Sequence, residues 1–197
     1  MSHWSPTGNV LPMTDIWLVR HGEAAAGFGE DTDPGLSVLG RQQAEHAAAL
    51  LAEQEQVGGE ASLLSSPKLR AIQTGEPFAT AIGAQLQIDA RFIELPSPSA
   101  LAVRQDWIMQ VLRSQWSELP DTVQAWRQDI AAAIDDMNRP TVVFTHFLVI
   151  NAVAARISGE DTVMQCVPAN GSVHHLRIDA GRWQWMTRGE MLQSVVN

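Results

Sequence analysis

Short apolar segments alternate along this chain with longer segments of helical period, and this alternation constrains its fold more than any other feature. The segments TDIWLVR (residues 14–20) and PTVVFTH (residues 140–146) carry the β-branched and apolar side chains typical of buried strands. Between them, SVLGRQQAEHAAALLAEQ (residues 37–54) places apolar or alanine residues at helical spacing. Strands that alternate with helices predict an α/β protein: a three-layer α/β/α sandwich with a mainly parallel central sheet and helices on both faces.

The other elements follow from the same periodicities and from turn residues. Ser37 is placed to cap the first helix, and Gly159 to close the last. The further predicted strands are residues 58–66, residues 84–90 and a terminal hairpin over residues 171–187 with its turn at Ala180-Gly181. The further predicted helices are residues 68–81, with Pro67 in the first turn and a kink at Pro77, then residues 100–112, 122–137 and 147–157.

Size and charge limit the class of protein. The 197 residues suit one domain, which we assign to residues 14–197, with residues 1–13 as a flexible N-terminal tail. A net charge of −9 argues against binding to nucleic acid or to anionic membranes, although a few focused arginines can still hold a small anionic substrate. No segment approaches the ~20 apolar residues of a membrane span, and the first residues lack the features of a secretory signal. A cytoplasmic location is therefore expected.

The cysteine and four of the six histidines are not expected to form a disulfide or a metal site. The single cysteine, Cys166, excludes an internal disulfide and a zinc site built from cysteines, and its apolar neighbours favour a packed thiol. His3, His46, His174 and His175 have no carboxylate or cysteine at ligand spacing, so we expect no metal there. The sequence indicates no cofactor.

Two of the predicted strands run directly into a histidine. Residues 14–20 end at Arg20 and continue into His21, and the strand that ends at Thr145 continues into His146. Ligands of parallel α/β sheets bind beyond the carboxyl ends of the strands, so these side chains are predicted to share one edge. A neutral imidazole can attack phosphorus, and an adjacent arginine can hold the phosphoryl oxygens. Alternatively, Arg20 pairs with a surface carboxylate and His21 only ends the strand.

The segment LLSSPKLRAIQT (residues 63–74) adds a second arginine to that edge. Its two serines end a predicted strand, and Arg70 lies one turn into the following helix, from which it can point back toward the strand ends. Amide groups at the start of a helix also favour anions. The alternative for Arg70 is a solvated position on the helix surface, and we interpret Lys68 and Arg91 in that way.

Five motifs, in this order and spacing, resemble the histidine phosphatase superfamily, also called the phosphoglycerate-mutase-like family: LVRHGEA, LSVLGRQQA, SSPKLRAIQT, VVFTHFLVINAVAARISG and PANGSV. The resemblance extends from about residue 16 to about residue 185 and implies the phosphoglycerate-mutase-like fold. It implies that His21 is the phosphorylated nucleophile, that Arg20 and Arg70 bind the phosphate, and that His146 is the second histidine of the pocket.

The same resemblance implies roles for the remaining candidates. Glu94 matches the carboxyl group that protonates the leaving oxygen and then activates water, although two prolines follow it where the family usually has a glycine. Glu23, the competing carboxylate, is better placed to orient the loop after the nucleophile. Asn170 and Ser172 match a loop near the pocket. Phe147 replaces a common glycine and either narrows the pocket or begins the core of the next helix. Four further matches are interpreted as packing positions: Leu36, Gly40, Gln43 and Ala44.

The resulting hypothesis is a metal-independent phosphatase that hydrolyses a small phosphomonoester through a phosphohistidine on His21. Three alternatives stay open: a phosphoglycerate-type phosphomutase, a phosphatase of phosphohistidine in proteins, and a phosphate-binding protein without turnover. The resemblance implies that such mutases are longer, with extra segments that close the site, so the short middle section of this chain favours hydrolysis. Neither the physiological substrate nor the oligomeric state follows from the sequence.

Overall fold

The computed structural model describes residues 13–26, 32–58, 60–97 and 101–192, with the backbone alone for residues 101–105. The strands are β1 (Thr14–Arg20), β2 (Ser62–Ser65), β3 (Leu86–Ile88), β4 (Thr141–Thr145), β5 (Val173–Asp179) and β6 (Arg182–Thr187). The α-helices are α1 (Val38–Ala52), α2 (Leu69–Ile82), α3 (Leu101–Arg113), α4 (Asp121–Asp135) and α5 (Phe147–Ser158).

Four neighbouring strands of the sheet are parallel, and two antiparallel strands extend it at one side. The strand order is β3-β2-β4-β1-β5-β6, in which the first four strands are parallel and β5 and β6 run antiparallel to their neighbours. Arg20 at the end of β1 pairs with Thr145 at the end of β4, and Ser65 at the end of β2 pairs with Phe144. The residues that follow these three strands are therefore brought together at one edge of the sheet, as predicted.

Side chains of β1 alternate between two hydrophobic cores, so helices cover both faces of the sheet. Ile16 and Leu18 pack with side chains of α4 and α5, whereas Trp17 and Val19 pack with side chains of α1 and α2. All four are fully buried, and full burial of side chains of this kind contributes about 1.5–3 kcal/mol each. The predicted three-layer α/β/α architecture is confirmed.

Caps and turns form where the sequence predicts them. Ser37 Oγ accepts a hydrogen bond from Gly40 N at 2.9 Å and caps α1. Gly159 ends α5 with a φ of 74°. The β5–β6 turn has positive φ at Ala180 (48°) and Gly181 (76°), the geometry that matches the twist of a hairpin.

The start of α2 differs from the predicted one. Lys68 has extended dihedrals (φ −74°, ψ 133°) and is the N-cap, so Pro67 precedes the helix instead of occupying its first turn. The helix then continues through Pro77. Arg70 is consequently the second helical residue, close to the strand ends.

Two smaller predictions also need correction. β3 has only three residues, because Asp89 Oδ1 accepts from Arg91 N at 2.9 Å and a 3₁₀ turn begins there. Val38 has helical spacing with the core positions but is 72% exposed, since it is the first residue of α1 and faces solvent.

Residues 1–12 and Pro98 lie outside the described residues. The N-terminal tail and the extent of the single domain therefore stay predictions. In the described part of the chain, no helix is long and apolar enough to cross a membrane.

Candidate active site

Two glycines let the loop after β1 lie directly against α1. A Cβ atom on Gly40 would lie 2.1 Å from Glu23 O, and one on Gly22 would lie 2.4 Å from Gly40 O, so neither position has room for a side chain. Gln43 Oε1 accepts a hydrogen bond from Glu23 N at 2.7 Å. This close contact between backbones fixes the start of the loop and, with it, His21 at the sheet edge.

His21 is held in one tautomer. Its Nδ1 lies 2.7 Å from Gly22 O, which can only accept, so Nδ1 carries the proton. Arg70 Nε donates to His21 Nε2 at 3.1 Å, so Nε2 presents its lone pair. Burial, followed by the charge of Arg70, lowers the pKa of His21 to about 3. The imidazole is therefore neutral near pH 7, and the nitrogen with the lone pair faces a cation.

Arg70 also connects His21 to the second histidine. Its Nη2 lies 3.4 Å from His146 Nδ1, and the two imidazole rings meet edge to face with centroids 5.1 Å apart. Because the guanidinium can only donate, His146 Nδ1 accepts, and His146 Nε2 donates to Ser66 Oγ at 2.6 Å. Burial, followed by the electrostatic interactions with His21 and Arg70, holds the pKa of His146 well below its ordinary value. Both histidines are thus neutral in the unliganded arrangement.

Ser66 and Thr74 are site residues to which the sequence analysis gave no role. Thr74 Oγ1 accepts from Gly22 N at 3.0 Å and donates to Arg70 O at 2.7 Å, so it ties the nucleophile loop to α2. Ser66 orients His146. The available signal was their position in LLSSPKLRAIQT, because Ser66 directly follows a strand end and Thr74 lies one turn after Arg70.

Arg20 lies at the same edge, between a loop carbonyl and an aromatic ring. Its Nη1 donates to Pro168 O at 2.5 Å, and its guanidinium carbon lies 5.2 Å from the centre of the Phe147 ring. Among the described residues, the buried Arg20 Nε has no hydrogen-bond partner. Phe147 packs against the core, as expected of the first residue of α5, and its ring also contacts Arg20. That it narrows the pocket stays a prediction.

Glu94 caps the start of α5 with its side chain. Its Oε1 accepts from Leu95 N at 3.0 Å, and both carboxyl oxygens lie 3.3 Å from Leu148 N. Burial raises the pKa of Glu94 above its ordinary value, while these amides and the charges of Arg70 and Arg20 oppose the rise. A half-buried carboxyl group with a raised pKa beside two arginines can act as a proton donor.

The Glu94 segment is fixed from two sides. Trp126 Nε1 of α4 donates to Ile93 O at 3.0 Å, and Thr145 Oγ1 at the end of β4 donates to Phe92 O at 2.9 Å. The strand that leads into His146 therefore also positions the segment that carries Glu94.

Glu23 does not join this cluster. It is exposed, and its Oε1 accepts from Ser37 Oγ at 2.7 Å. Its backbone carbonyl accepts from Ser37 N at 2.9 Å. Glu23 therefore joins the loop to the N-cap of α1, in line with the orienting role expected for it.

The two candidates of the loop after α5 have different partners. Asn170 Nδ2 donates to His21 O at 3.0 Å and so supports the nucleophile directly. Ser172 Oγ instead forms a hydrogen bond with His174 Nε2 at 2.8 Å, and the Ser172 carbonyl accepts from Arg20 N at 3.1 Å. Asn170 contacts the cluster through its side chain, whereas Ser172 contacts it only through its backbone.

The remaining histidines and the cysteine lie apart from the cluster. His175 Nε2 forms a hydrogen bond with Asp15 Oδ1 at 2.7 Å, and His46 is exposed on α1. Cys166 is half-buried, and burial raises the pKa of its thiol. Within the described ranges, no three His, Cys, Asp or Glu side chains are grouped so that they could hold a metal ion.

The fold therefore assembles the predicted cluster from segments far apart in the chain. The side chains that meet at the sheet edge are Arg20, His21, Arg70, Glu94 and His146. They combine an unprotonated nitrogen, two guanidinium groups and a carboxyl group of raised pKa, which suits transfer of a phosphoryl group.

Solved structures of phosphatases have this fold. A putative α-ribazole-5′-phosphate phosphatase from Escherichia coli is 17% identical, with a TM-score of 0.70 over 90% of this chain and 96% of that chain. The phosphoserine phosphatase of Entamoeba histolytica is 18% identical, with a TM-score of 0.69 over 90% and 98%. The mycobacterial glucosyl-3-phosphoglycerate phosphatase is 20% identical, with a TM-score of 0.65 over 88% and 98%.

Sequence comparison gives the family. No curated protein matches the chain in sequence. The model of the histidine phosphatase superfamily (branch 1) matches residues 16–190, which is most of the chain. The family and the phosphoglycerate-mutase-like fold predicted from the sequence are confirmed, and the chain belongs to the histidine phosphatase superfamily, branch 1.

Proposed function

We propose that this chain is a metal-independent phosphatase that hydrolyses a small phosphomonoester through a phosphohistidine on His21. The observation that carries the proposal is the state of His21. Its Nδ1 donates a hydrogen bond to Gly22 O, and its unprotonated Nε2 lies next to the guanidinium of Arg70. A nucleophilic nitrogen and a cation are therefore side by side. A phosphoryl dianion is attracted to the cation and exposed to the lone pair.

In the first step, the hydrogen bond from Arg70 Nε to His21 Nε2 breaks as Arg70 turns to the phosphoryl oxygens, and the freed Nε2 lone pair attacks phosphorus in line with the leaving oxygen. The N–P bond forms as the P–O bond to the leaving group breaks. Glu94 supplies the proton that the departing alkoxide needs, and its raised pKa favours the protonated form of the carboxyl group. The alcohol leaves, and His21 carries the phosphoryl group.

In the second step, water attacks the phosphohistidine. The Glu94 carboxylate takes a proton from the water as the new P–O bond forms and the N–P bond breaks. Inorganic phosphate leaves, His21 regains its lone pair and Glu94 regains its proton. Over the two steps the atoms and protons balance, and no oxidant or reductant is needed.

Charge stabilisation comes from three side chains around His21. Arg20 and Arg70 bind the non-bridging oxygens, whose negative charge the transition state retains. His146, neutral in the unliganded arrangement, gains proton affinity when a dianion lies beside it, so it then donates a third hydrogen bond. Asn170 fixes the backbone of His21 through its carbonyl oxygen.

The names of the structural neighbours support a small phosphorylated substrate. They include phosphatases of glucosyl-3-phosphoglycerate and of α-ribazole 5′-phosphate, and a phosphoserine phosphatase. Because these proteins are only 17–20% identical to this chain, none of their individual substrates is assigned to it. A cytoplasmic location and the lack of nucleic-acid partners stay predictions from the sequence.

The proposal is tested by rapid quench with a ³²P-labelled phosphomonoester. An acid-labile, alkali-stable phosphoenzyme should form before inorganic phosphate is released, and it should be absent in His21→Ala. Full activity of His21→Ala would contradict the mechanism. Vanadate binding with no turnover on a broad panel of phosphoesters would instead favour a phosphate-binding protein.

Two controls separate the neighbouring reactions. Phosphate release without stimulation by a bisphosphate is expected of a phosphatase, and dependence on a bisphosphate would indicate a mutase. Dialysis against EDTA should leave kcat within about twofold, because the proposed steps use only protein side chains as charge stabilisers.

A further inference from the structure

Lys68 is the only lysine in the sequence and lies beside the phosphate-binding cluster. The chain carries 13 lysine and arginine residues, of which the other 12 are arginine. Lys68 stands between β2 and α2, two residues before Arg70. The sequence analysis interpreted it as solvated, but its side chain is only 26% exposed.

A carboxylate lies between Lys68 and Arg70. One oxygen of Asp33, Oδ1, lies 4.0 Å from Lys68 Nζ and also 4.0 Å from Arg70 Nη1. The same oxygen accepts from Leu69 N at 3.1 Å, and Lys68 Nζ donates to Thr32 O at 3.2 Å. The unliganded protein therefore holds a carboxylate of its own next to the arginine that is proposed to bind the phosphoryl group.

The charge of Lys68 reaches the cluster. Lys68 is among the cations that lower the pKa of His146, after burial, His21 and Arg70. A cation whose charge lowers the pKa of His146 also attracts an anionic substrate that is bound beside His146. The Asp33 side chain is 42% exposed, so an entering ligand can approach it from solvent.

We propose that Lys68 determines substrate class by binding a carboxylate of the substrate, which replaces the Asp33 carboxylate when the phosphoryl group binds. The inference rests on the proposed function, because it assumes that Arg70 holds a phosphoryl group. The position beside Arg70 already accommodates a carboxylate, so a second carboxylate fits its geometry and charge. The preferred substrates are then short phosphorylated carboxylic acids, in which the two anionic groups are a few bonds apart.

A surface ion pair with no role in binding is the competing explanation. Exposed pairs of this kind contribute about 0–1 kcal/mol to stability and need no function. The two explanations differ in one measurable quantity, the preference between two substrates that share a phosphoester and differ only in a carboxylate.

The experiment compares 3-phosphoglycerate with glycerol 3-phosphate, in which a hydroxymethyl group replaces the carboxylate. The quantity measured is the ratio of their kcat/KM values in the wild-type chain and in Lys68→Met, which removes the charge and retains most of the volume. We expect the ratio to favour 3-phosphoglycerate in the wild type and to fall about tenfold in Lys68→Met, the effect of one lost charge-assisted contact.

Two further variants make the comparison specific. Arg182→Met removes one exposed cation from the hairpin at the opposite edge of the sheet and should leave the ratio unchanged. Asp33→Asn removes the competing carboxylate and should raise the ratio severalfold. A ratio that stays within about twofold of wild type in Lys68→Met, or that falls in Asp33→Asn, overturns the proposal.

The preference between the two esters can also be measured as a ratio of Kd values. This measurement tests the role of Lys68 separately from the proposed phosphatase mechanism. Titration calorimetry with His21→Ala, with and without Lys68→Met, gives the ratio of the two Kd values in the absence of turnover. Hydrolysis of both esters with an unchanged ratio would overturn only the carboxylate preference. A wild-type chain that turns over no phosphoester of the broad panel, but for which the Kd ratio in His21→Ala depends on Lys68, would overturn only the phosphatase mechanism.

Discussion

Two pairs of buried histidines lie in different halves of the sheet, and only one pair is placed for chemistry. His21 and His146 follow the parallel strands β1 and β4, whereas His174 and His175 lie within the antiparallel strand β5. All four are at most 9% exposed. Burial lowers the pKa of His174 to about 4, close to the value of about 3 for His21. Neither burial nor a lowered pKa therefore separates His174 from His21.

The partners of the rings do separate them. His174 has both nitrogens bound, Nδ1 to Gly189 N at 3.1 Å and Nε2 to Ser172 Oγ at 2.8 Å. Its hydrogen bonds are complete without a ligand. The bonded partner of His21 Nε2 is instead a cation, Arg70, which an arriving phosphoryl oxygen can share. The proposed nucleophile differs from His174 in having an unprotonated nitrogen that faces positive charge.

The largest expected effect is the loss of His21. We predict that His21→Ala lowers kcat by ~10⁴-fold or more, because the covalent route is removed entirely. His174→Gln, at an equally buried site, is the matched control and should retain kcat within about tenfold. Steady-state phosphate release measures both. Similar losses in the two variants would contradict the distinction drawn between the pairs.

The next effect concerns the proton of Glu94. Glu94→Gln should lower kcat on glycerol 3-phosphate by ~10²–10⁴-fold, because an alkoxide leaves poorly without a proton. The loss on p-nitrophenyl phosphate should be much smaller, since p-nitrophenolate needs no proton. An equal loss on both esters would argue against Glu94 as the acid, and full activity of the variant would favour a phosphatase of phosphohistidine.

The pH profile adds a second measurement for the same residue. The proposed mechanism requires the acid form of Glu94, and the pKa of Glu94 is raised. After correction for ionisation of the substrate, kcat/KM on the alkyl ester should fall as the pH rises through that pKa. The fall should be missing in Glu94→Gln.

Stability should not distinguish the two pairs as activity does. The pKa of His174 is about 4 in the folded chain, below the ordinary value of 6.5, so the unfolded state binds more protons between these pH values. The free energy of unfolding therefore falls as the pH is lowered from about 6.5 to about 4, and His174 accounts for about 3 kcal/mol of that fall. His21 contributes in the same direction.

Chemical denaturation at several pH values measures this loss. His174→Gln should flatten the dependence between pH 4 and 6.5, whatever it does to stability at pH 7. An unchanged slope would show that His174 is not held neutral by the fold.

The smallest predicted effect compares two side chains of one loop. Asn170→Ala removes the hydrogen bond to His21 O and should lower kcat about tenfold with little change in KM. Ser172→Ala removes a hydrogen bond to His174 and should change kcat less than threefold. The reverse order would place His174, and not the His21 backbone, in the support of the site.

Local pattern was sufficient to predict the fold and most of the cluster. Alternating strands and helices fix the layers, and strand ends fix the edge at which Arg20, His21 and His146 meet. Arg70 was predictable because a helix start returns it to that edge. These inferences depend only on where strands and helices begin and end, and hydrophobic periodicity and capping residues indicate this directly.

Side-chain partnership could not be predicted in the same way. The roles of Ser66 and Thr74 depend on rotamers and on the approach of segments that are distant in the sequence. Lys68 resembled any solvated lysine, because its neighbour Asp33 precedes it by more than 30 residues. No short-range pattern encodes such a contact.

The central claim is that the phosphoryl group is transferred to Nε2 of His21. The most direct test traps the phosphoenzyme at alkaline pH and locates the phosphoryl group by tandem mass spectrometry and ³¹P NMR. The account predicts a single phosphohistidine at His21, attached through Nε2. A phosphoryl group on His146, on His174 or on any residue other than His21 would contradict it.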